Sequence, residues 1–257
     1  MNGPFTNTIT VWQELFLREA LDRFFGSRAG WAWLIIEPGI HIAFMGWVWG
    51  MFRRNSMGGI DITVWIILGM LAFFLFRRTA VQTLHARDCN RAFFAFRQVR
   101  PFDVAIARAS VEAFSMFFIS LTILGIAGLL GRNVIPEDPL TALVALIGLW
   151  LFGVGYGLVT SVGMRLVQDL GHIFQILMMP LYLISGVFVP ISSIPQPYQD
   201  WLLWNPLVHG LELVRLGFFP NYHTVDVSFS YLYTWVLCSI ALGMALYRGL
   251  ETRLVMQ

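Results

Sequence analysis

Residues 77–108 read RRTAVQTLHARDCNRAFFAFRQVRPFDVAIAR, and this stretch decides the fold. It carries Arg77, Arg78, Arg87, Arg91, Arg97, Arg100 and Arg108 against two acids, Asp88 and Asp103. That is seven of the seventeen basic residues in the chain. Apolar runs lie on either side, at 62–76 and 114–130. An arginine-rich connector between two membrane-length segments stays in the cytoplasm, because positive loops resist translocation. Its side fixes the side of every other loop. It is also the one sizeable surface a cytosolic partner would grip.

The composition agrees. The 257 residues are 57% hydrophobic and 12% charged, where a soluble domain is about 25% charged. The chain is an integral membrane protein, with a length that suits about six spans and short loops. Every basic residue is arginine. Without lysine there is no ordinary Walker A loop and no lysine Schiff base, so ATP has to be used by another subunit. Cys89 and Cys238, the two cysteines, fall in the connector and in a span, which suits neither a disulfide nor a metal site. Met1–Arg28 lacks the basic start and unbroken apolar core of a cleavable signal peptide.

Outward from the connector, the spacing predicts an amphipathic helix over Thr8–Gly26, capped by Asn7 or Thr8. Ile9, Trp12, Leu15, Phe16, Ala20 and Phe24 form its apolar side. Glu14–Arg18 and Glu19–Arg23 are i,i+4 pairs on its polar side. Such a helix lies in the membrane interface or packs on the end of the bundle. The first span is Trp31–Phe52. Trp31 and Trp33 stand at one end of it and Trp47 and Trp49 at the other, about 27 Å apart along a helix. That spacing favours interface belts over sugar-stacking platforms. Glu37 and His41 share one face of the span, either as a structural pair or as the lining of a conduit.

The second span begins at Ile62 and continues towards Leu84, with Arg77 and Arg78 snorkelling. The third is Phe102–Leu130, with Arg108 and Glu112 spaced to pair near its start. The fourth is Leu140–Val162, whose glycines allow close helix approach. A loop follows at Arg165–His172, then the fifth span, Ile173–Val189. Pro190–Val227 is the largest external segment. Within it, Trp201–Phe219 forms two half-length apolar pieces broken at Asn205-Pro206, read as a re-entrant helical hairpin rather than an ordinary loop. The sixth span is Ser228–Leu246, and a basic tail closes the chain. With both termini inside, thirteen arginines fall on the cytoplasmic side, while Arg53, Arg54, Arg132 and Arg215 fall outside. The expected fold is therefore an all-α integral membrane protein of six transmembrane helices. An N-terminal interface helix occupies 1–30, the six-span bundle 31–248 and a cytoplasmic tail 249–257, all in one domain.

Three motifs add a family. Ser185-Gly186-Val-Phe-Val-Pro190-Ile-Ser-Ser-Ile-Pro195, then Asn205-Pro206-Leu-Val-His209, Glu212 and Arg215, resembles the late segment of ABC-2-type exporter permeases. Gly30-x-x-Trp33 through Glu37-Pro38 is similar to the first span of that family. Arg97-Gln-Val-Arg100-Pro-Phe-Asp103 with Ala107-Arg108 and Glu112 is similar to its capsular polysaccharide export branch. The resemblance covers nearly the whole chain. It implies a homodimer in the bacterial inner membrane, working with two ABC ATPase subunits that bind ATP and Mg. The chain itself would hold no cofactor and no metal, and would not be an enzyme. A periplasmic co-polymerase is a further implied partner, membrane lipids surround the dimer, and nucleic acid plays no part. The implied cargo is a lipid-linked anionic polysaccharide. The resemblance places ATPase coupling on Arg87, Asp88, Arg91, Arg97 and Arg100, and the outer mouth of the pore on the hairpin.

Phe93, Phe94 and Phe96 beside Arg91 and Arg97 would either attract an anionic glycan or pack against the ATPase or bundle. Within transport, O-antigen or teichoic-acid chains, or a smaller compound, are the rival cargoes. An intramembrane lipid-modifying enzyme would need a nucleophile and base at membrane depth, and neither Gly-x-Ser-Gly nor a His-x-x-Glu-His spacing occurs. A passive channel is compatible with the missing ATPase motif but not with the family motifs.

Overall fold

The structure is a computed structural model and describes residues 4–26, 30–52, 60–86, 101–167, 169–219, 222, 224 and 226–255. Its helices are α1 Pro4–Phe25, α2 Gly30–Phe52, α3 Ile62–Leu84, α4 Pro101–Leu129, α5 Pro139–Leu166, α6 Leu170–Ile184, α7 Tyr198–Leu203, α8 Pro206–Phe218 and α9 Phe229–Val255. Five of them, α2, α3, α4, α5 and α9, are long and apolar enough to cross a membrane. At 15 residues, α6 is about 22 Å long, short of the ~30 Å hydrocarbon layer.

The centre of the bundle is α3, buried from Val64 to Phe74 almost without interruption. A helix apolar on every side belongs inside rather than at a surface. It packs against α2, α4, α5, α6 and α8. Against α5 the approach is close: a Cβ on Gly153 would stand 2.9 Å from the Phe76 carbonyl oxygen, and one on Gly157 2.7 Å from that of Ala80. The glycines expected to allow close approach on the fourth span are thus shared: Gly153 and Gly157 face α3, and Gly148 and Gly155 face α9. On the other side α5 packs along α9.

Several boundaries differ from expectation, each for a local reason. Helix α1 starts at Pro4, so Asn7 and Thr8 lie inside it and do not cap it. Proline suits a first helical turn because its missing N–H has no intrahelical partner there. Helix α5 runs one turn beyond Val162, to Leu166, so the loop expected at Arg165–His172 shrinks to the few residues before Leu170. The fifth span ends at Ile184 rather than Val189 because Ser185 and Gly186 stop it. The Ser185 N–H and hydroxyl both donate to the Leu181 carbonyl, and Gly186 turns with φ +76°. The tail expected from Arg248 is helical to Val255 as part of α9.

The two half-length apolar pieces expected after the fifth span are α7 and α8, parted at Asn205. Asn205 caps α8 by accepting from the Leu207 N–H at 3.0 Å, and Pro206 takes the first helical position. Residues 206–215 of α8 are all buried, enclosed by α3, α5 and α9.

Candidate functional site: two polar clusters at the ends of the bundle

The first cluster joins α1 to α3 and α4 near the connector. Glu112 of α4 is fully buried and ion-pairs with both Arg23 of α1 and Arg78 of α3. Burial pulls the Arg23 guanidinium below its ordinary pKa, and the Glu112 carboxylate opposes that shift. One turn earlier, Arg108 Nε lies 3.0 Å from Glu19 Oε1. Arg108 also donates to Gln82 Oε1 at 2.7 Å and to the His85 carbonyl at 3.3 Å. Further back, Trp12 Nε1 donates to Asp103 Oδ1 at 2.8 Å, while Phe16 and Phe24 meet Phe114 edge-on.

Arg108 and Glu112 therefore do not satisfy each other, as their spacing predicted. Each pairs across to α1, because facing helices offer shorter and better-shielded partners than the next turn. Two residues of the polar side of α1, Glu19 and Arg23, turn inward beside the apolar Leu15, Phe16 and Phe24, while Glu14, Arg18 and Asp22 stay exposed, as do Leu17, Leu21 and Phe25. Between the two placements expected for α1, the inward face is packed on the bundle end. The signal was in the sequence. Glu19-x-x-x-Arg23 on α1 and Arg108-x-x-x-Glu112 on α4 have equal spacing and opposite charge order, which complements across parallel helices.

Glu37 and His41 line a cavity of about 660 Å³ together with Arg23, Arg77 and Arg78. His41 Nε2 stands 3.4 Å from the Tyr182 hydroxyl and packs edge-on to Phe74. Of the expected belt tryptophans, Trp33 and Trp47 are exposed, whereas Trp49 stacks on Phe188 with ring planes 7° apart. Arg87, Asp88, Arg91, Arg97 and Arg100, with Phe93, Phe94 and Phe96, lie outside the described residues.

The second cluster closes the other end. Arg78 lies thirteen positions beyond Trp65 on α3, about 20 Å of helix. Arg215 of α8 is completely buried. Its Nη1 donates to the Gly186 carbonyl at 2.8 Å and to Glu212 Oε1 at 3.0 Å, and its Nη2 to the Val187 carbonyl at 2.9 Å. The guanidinium carbon sits 3.4 Å from the centre of the Trp65 ring, a cation–π contact in a desolvated place. Gly69 leaves the room: a Cβ there would stand 2.1 Å from Arg215 Nη2. Asn205 Nδ2 donates to Ser185 Oγ at 2.9 Å. Pro190 is buried and Pro195 exposed.

The residues expected as an external motif, Ser185, Gly186, Asn205, Pro206, Glu212 and Arg215, thus form one knot tying α8 to the turn after α6 and to α3. Arg215 is no loop charge, so it leaves the count of exposed external arginines. Trp65 beneath it had no sequence signal, being one apolar residue among many in α3. His209 spends both ring nitrogens on backbone. Nε2–H donates to the Leu203 carbonyl at 2.8 Å, and Nδ1 accepts from the Ser228 N–H at 3.0 Å. That pairing fixes one neutral tautomer and gives no general base. Among the described residues no group of three or more His, Cys, Asp or Glu could hold a metal ion.

Both clusters are buried charges paired by guanidinium clamps, on a bundle of apolar helices. The ABC-2 type transporter family matches residues 10–219, and the chain belongs to that family. It is 33% identical to the polysialic acid transport protein KpsM of Escherichia coli, over 95% of this chain and 94% of that one. It is 26% identical to the capsule polysaccharide export inner-membrane protein CtrC of Neisseria meningitidis, over 90% and 87%. To BexB of Haemophilus influenzae, of the same description, it is 23% identical over 93% and 90%.

Proposed function

We propose that this chain is the transmembrane permease subunit of an ABC exporter that moves lipid-linked capsular polysaccharide across the inner membrane, driven by a separate ATPase subunit. The observation that carries this reading is the end-to-end similarity to KpsM, a polysialic acid transport protein. In this reading residues 1–257 are one ABC-2 transmembrane domain. Its six spans count α6 with the buried turn after it as the fifth, both termini are cytoplasmic, and α7 and α8 dip into the outer leaflet as a re-entrant hairpin. Two copies enclose the path of the glycan. Two ATPase chains hold ATP and Mg, and a periplasmic co-polymerase receives the product.

Coupling is mechanical. Arg87, Asp88, Arg91, Arg97 and Arg100 meet the ATPase, and closure of the ATPases pushes on the connector. The Glu19–Arg108 and Arg23–Arg78–Glu112 ion pairs pass that push to α1, α3 and α4, which repack between two discrete states. The knot around Arg215 keeps the hairpin attached to α3 throughout.

The test is a pull-down of the tagged full-length chain from its native membrane, followed by mass spectrometry. A stoichiometric P-loop ATPase supports the reading, and a periplasm-facing partner supports capsule export. A folded dimer without any ATPase would overturn it. Charge reversal at Arg91 and Arg97 is expected to abolish ATPase capture while membrane insertion persists. Unchanged export with both reversed would remove the connector from the coupling role.

A further inference from the structure

The cavity between α1, α2 and α3 shares Arg23 and Arg78 with the ion pairs of the coupling account, but the space they face has no part in it. Its volume is about 660 Å³, within the ~300–1,000 Å³ usual for small-molecule sites. Arg23, Arg77 and Arg78 stand on its wall, with Glu37 and His41 beside them. Glu112 does not line it. From a fully buried position behind the wall, Glu112 holds both Arg23 and Arg78. A guanidinium has five N–H donors in a rigid fork, so one carboxylate between two of them leaves donors to spare and fixes their direction. This is how an anion site is preorganised: the carboxylate orients the cations and does not occupy the space they face.

The rest of the cavity says which anion. Leu34, Pro38, Phe74 and Val81 line it as well. On the outward face of α2, Trp33, Ile36, Ile40 and Phe44 are exposed, at the spacing of a membrane-facing stripe. The wall is therefore mixed, with Phe74 and Val81 about one turn to either side of Arg77 and Arg78 on α3, and it adjoins the exposed apolar face of α2, whose Trp33 also lines it. An inorganic ion has no use for the apolar wall, and an acyl chain has none for three arginines. Glu37 adds an acceptor for a hydroxyl or ammonium carried next to the anion. We infer that this cavity is a binding site for the phosphodiester headgroup of a membrane lipid, with Arg23, Arg77 and Arg78 on the phosphate and Glu37 on the polar substituent beyond it. A resident phospholipid and the phosphate-bearing anchor of a lipid-linked glycan present the same chemistry here. The inference goes beyond the export reading and stands apart from it, because it needs only the membrane placement of α2 and α3.

The experiment is native mass spectrometry of the full-length chain, delipidated in detergent and titrated with phosphatidylglycerol, phosphatidylethanolamine, dioleoylglycerol or inorganic phosphate. One saturable phospholipid adduct is expected, with none from dioleoylglycerol, which lacks the phosphate. Arg77 is exposed on the wall, so Arg77→Gln is expected to leave the fold intact. It is expected to weaken the adduct roughly tenfold, the value of one charge-assisted hydrogen bond. Arg132→Gln, which removes an arginine paired with Asp61 outside the cavity, is expected to change nothing. Arg78→Gln tests the oriented pair. If that variant does not fold, Arg77→Gln alone decides.

Equal binding of dioleoylglycerol, an adduct untouched by Arg77→Gln, or equal loss in Arg132→Gln would overturn the inference. So would phosphate binding without lipid binding. Lipid extracted from glycan-producing cells separates the two sources. Preferential retention of a glycan-bearing species identifies the anchor, and retention of ordinary phospholipid alone identifies a resident lipid. In either case the ATPase pull-down is unaffected, so failure of this site and failure of the export reading are distinct results.

Discussion

Arg215 shows what one residue costs and secures in this bundle. A guanidinium wholly removed from water is tolerated because two carbonyls, one carboxylate and an indole face replace its hydration. Arg215→Met leaves Glu212, itself only 1% exposed, as a buried charge without its partner. That loss is expected to cost about 3–5 kcal/mol of stability. Adding Glu212→Gln removes the stranded charge, so the double variant is expected to be more stable than Arg215→Met alone, with a coupling above about 1 kcal/mol. Unfolding in detergent measures both, and additive losses would mean that Glu212 finds another partner. At the start of α5, Asp138 accepts from the Leu140 and Thr141 N–H groups and from the Thr141 hydroxyl. Those bonds hold its carboxyl below the ordinary carboxylate range, the Thr141 hydroxyl first among them. A lowered folded-state pKa gives a contribution that is present above the ordinary value and lost as pH falls through the lowered one. Asp138→Asn is expected to lose that acid limb while keeping an N-cap, which a thermal midpoint recorded against pH would reveal.

At the scale of elements, the pairing of α1 with α4 carries the argument. Trp12–Asp103, Glu19–Arg108, Arg23–Glu112 and Phe24–Phe114 all join residues about ninety positions apart, so the two helices run side by side in the same direction. The reversed variants Glu19→Arg and Arg108→Glu are each expected to loosen α1, and the two together to restore it. Limited proteolysis near the end of α1 reads the difference, and no rescue in the double variant would refute the pairing. The helices themselves were legible because a run of apolar residues longer than a membrane thickness has few alternatives. Their ends were less so: Ser185 and Gly186 stop α6 through a local cap, and apolar residues continue past it without a change in composition. The polar partners were the least legible. Periodicity says which residues share a face, and only packing says which face meets which. That is why Arg108 and Glu112 read as a pair within α4, although each is used between helices.

For the whole molecule, the question is which end faces outward. Arg77 and Arg78 mark one end of α3, and the knot of Ser185, Asn205, Glu212 and Arg215, against Trp65, lies between three and four helical turns (about 20 Å) away along it. With Arg215 buried, the arginines assigned outside reduce to Arg53, Arg54 and Arg132, which sharpens the charge asymmetry that orients membrane proteins. Tyr198, Trp201 and Trp204 are exposed on and beside α7, and Tyr231 donates to the Trp204 carbonyl at 2.8 Å, fixing that corner against α9. A single cysteine at Trp201, in a chain with Cys89 and Cys238 replaced by serine, is therefore expected to react with a membrane-impermeant maleimide in cells whose outer membrane alone is breached. A cysteine at Arg87 is expected to react only after the inner membrane is opened. Reversed labelling would place the arginine connector outside. It would then be beyond the reach of any cytosolic ATPase, and the mechanical account of transport would fail with the topology.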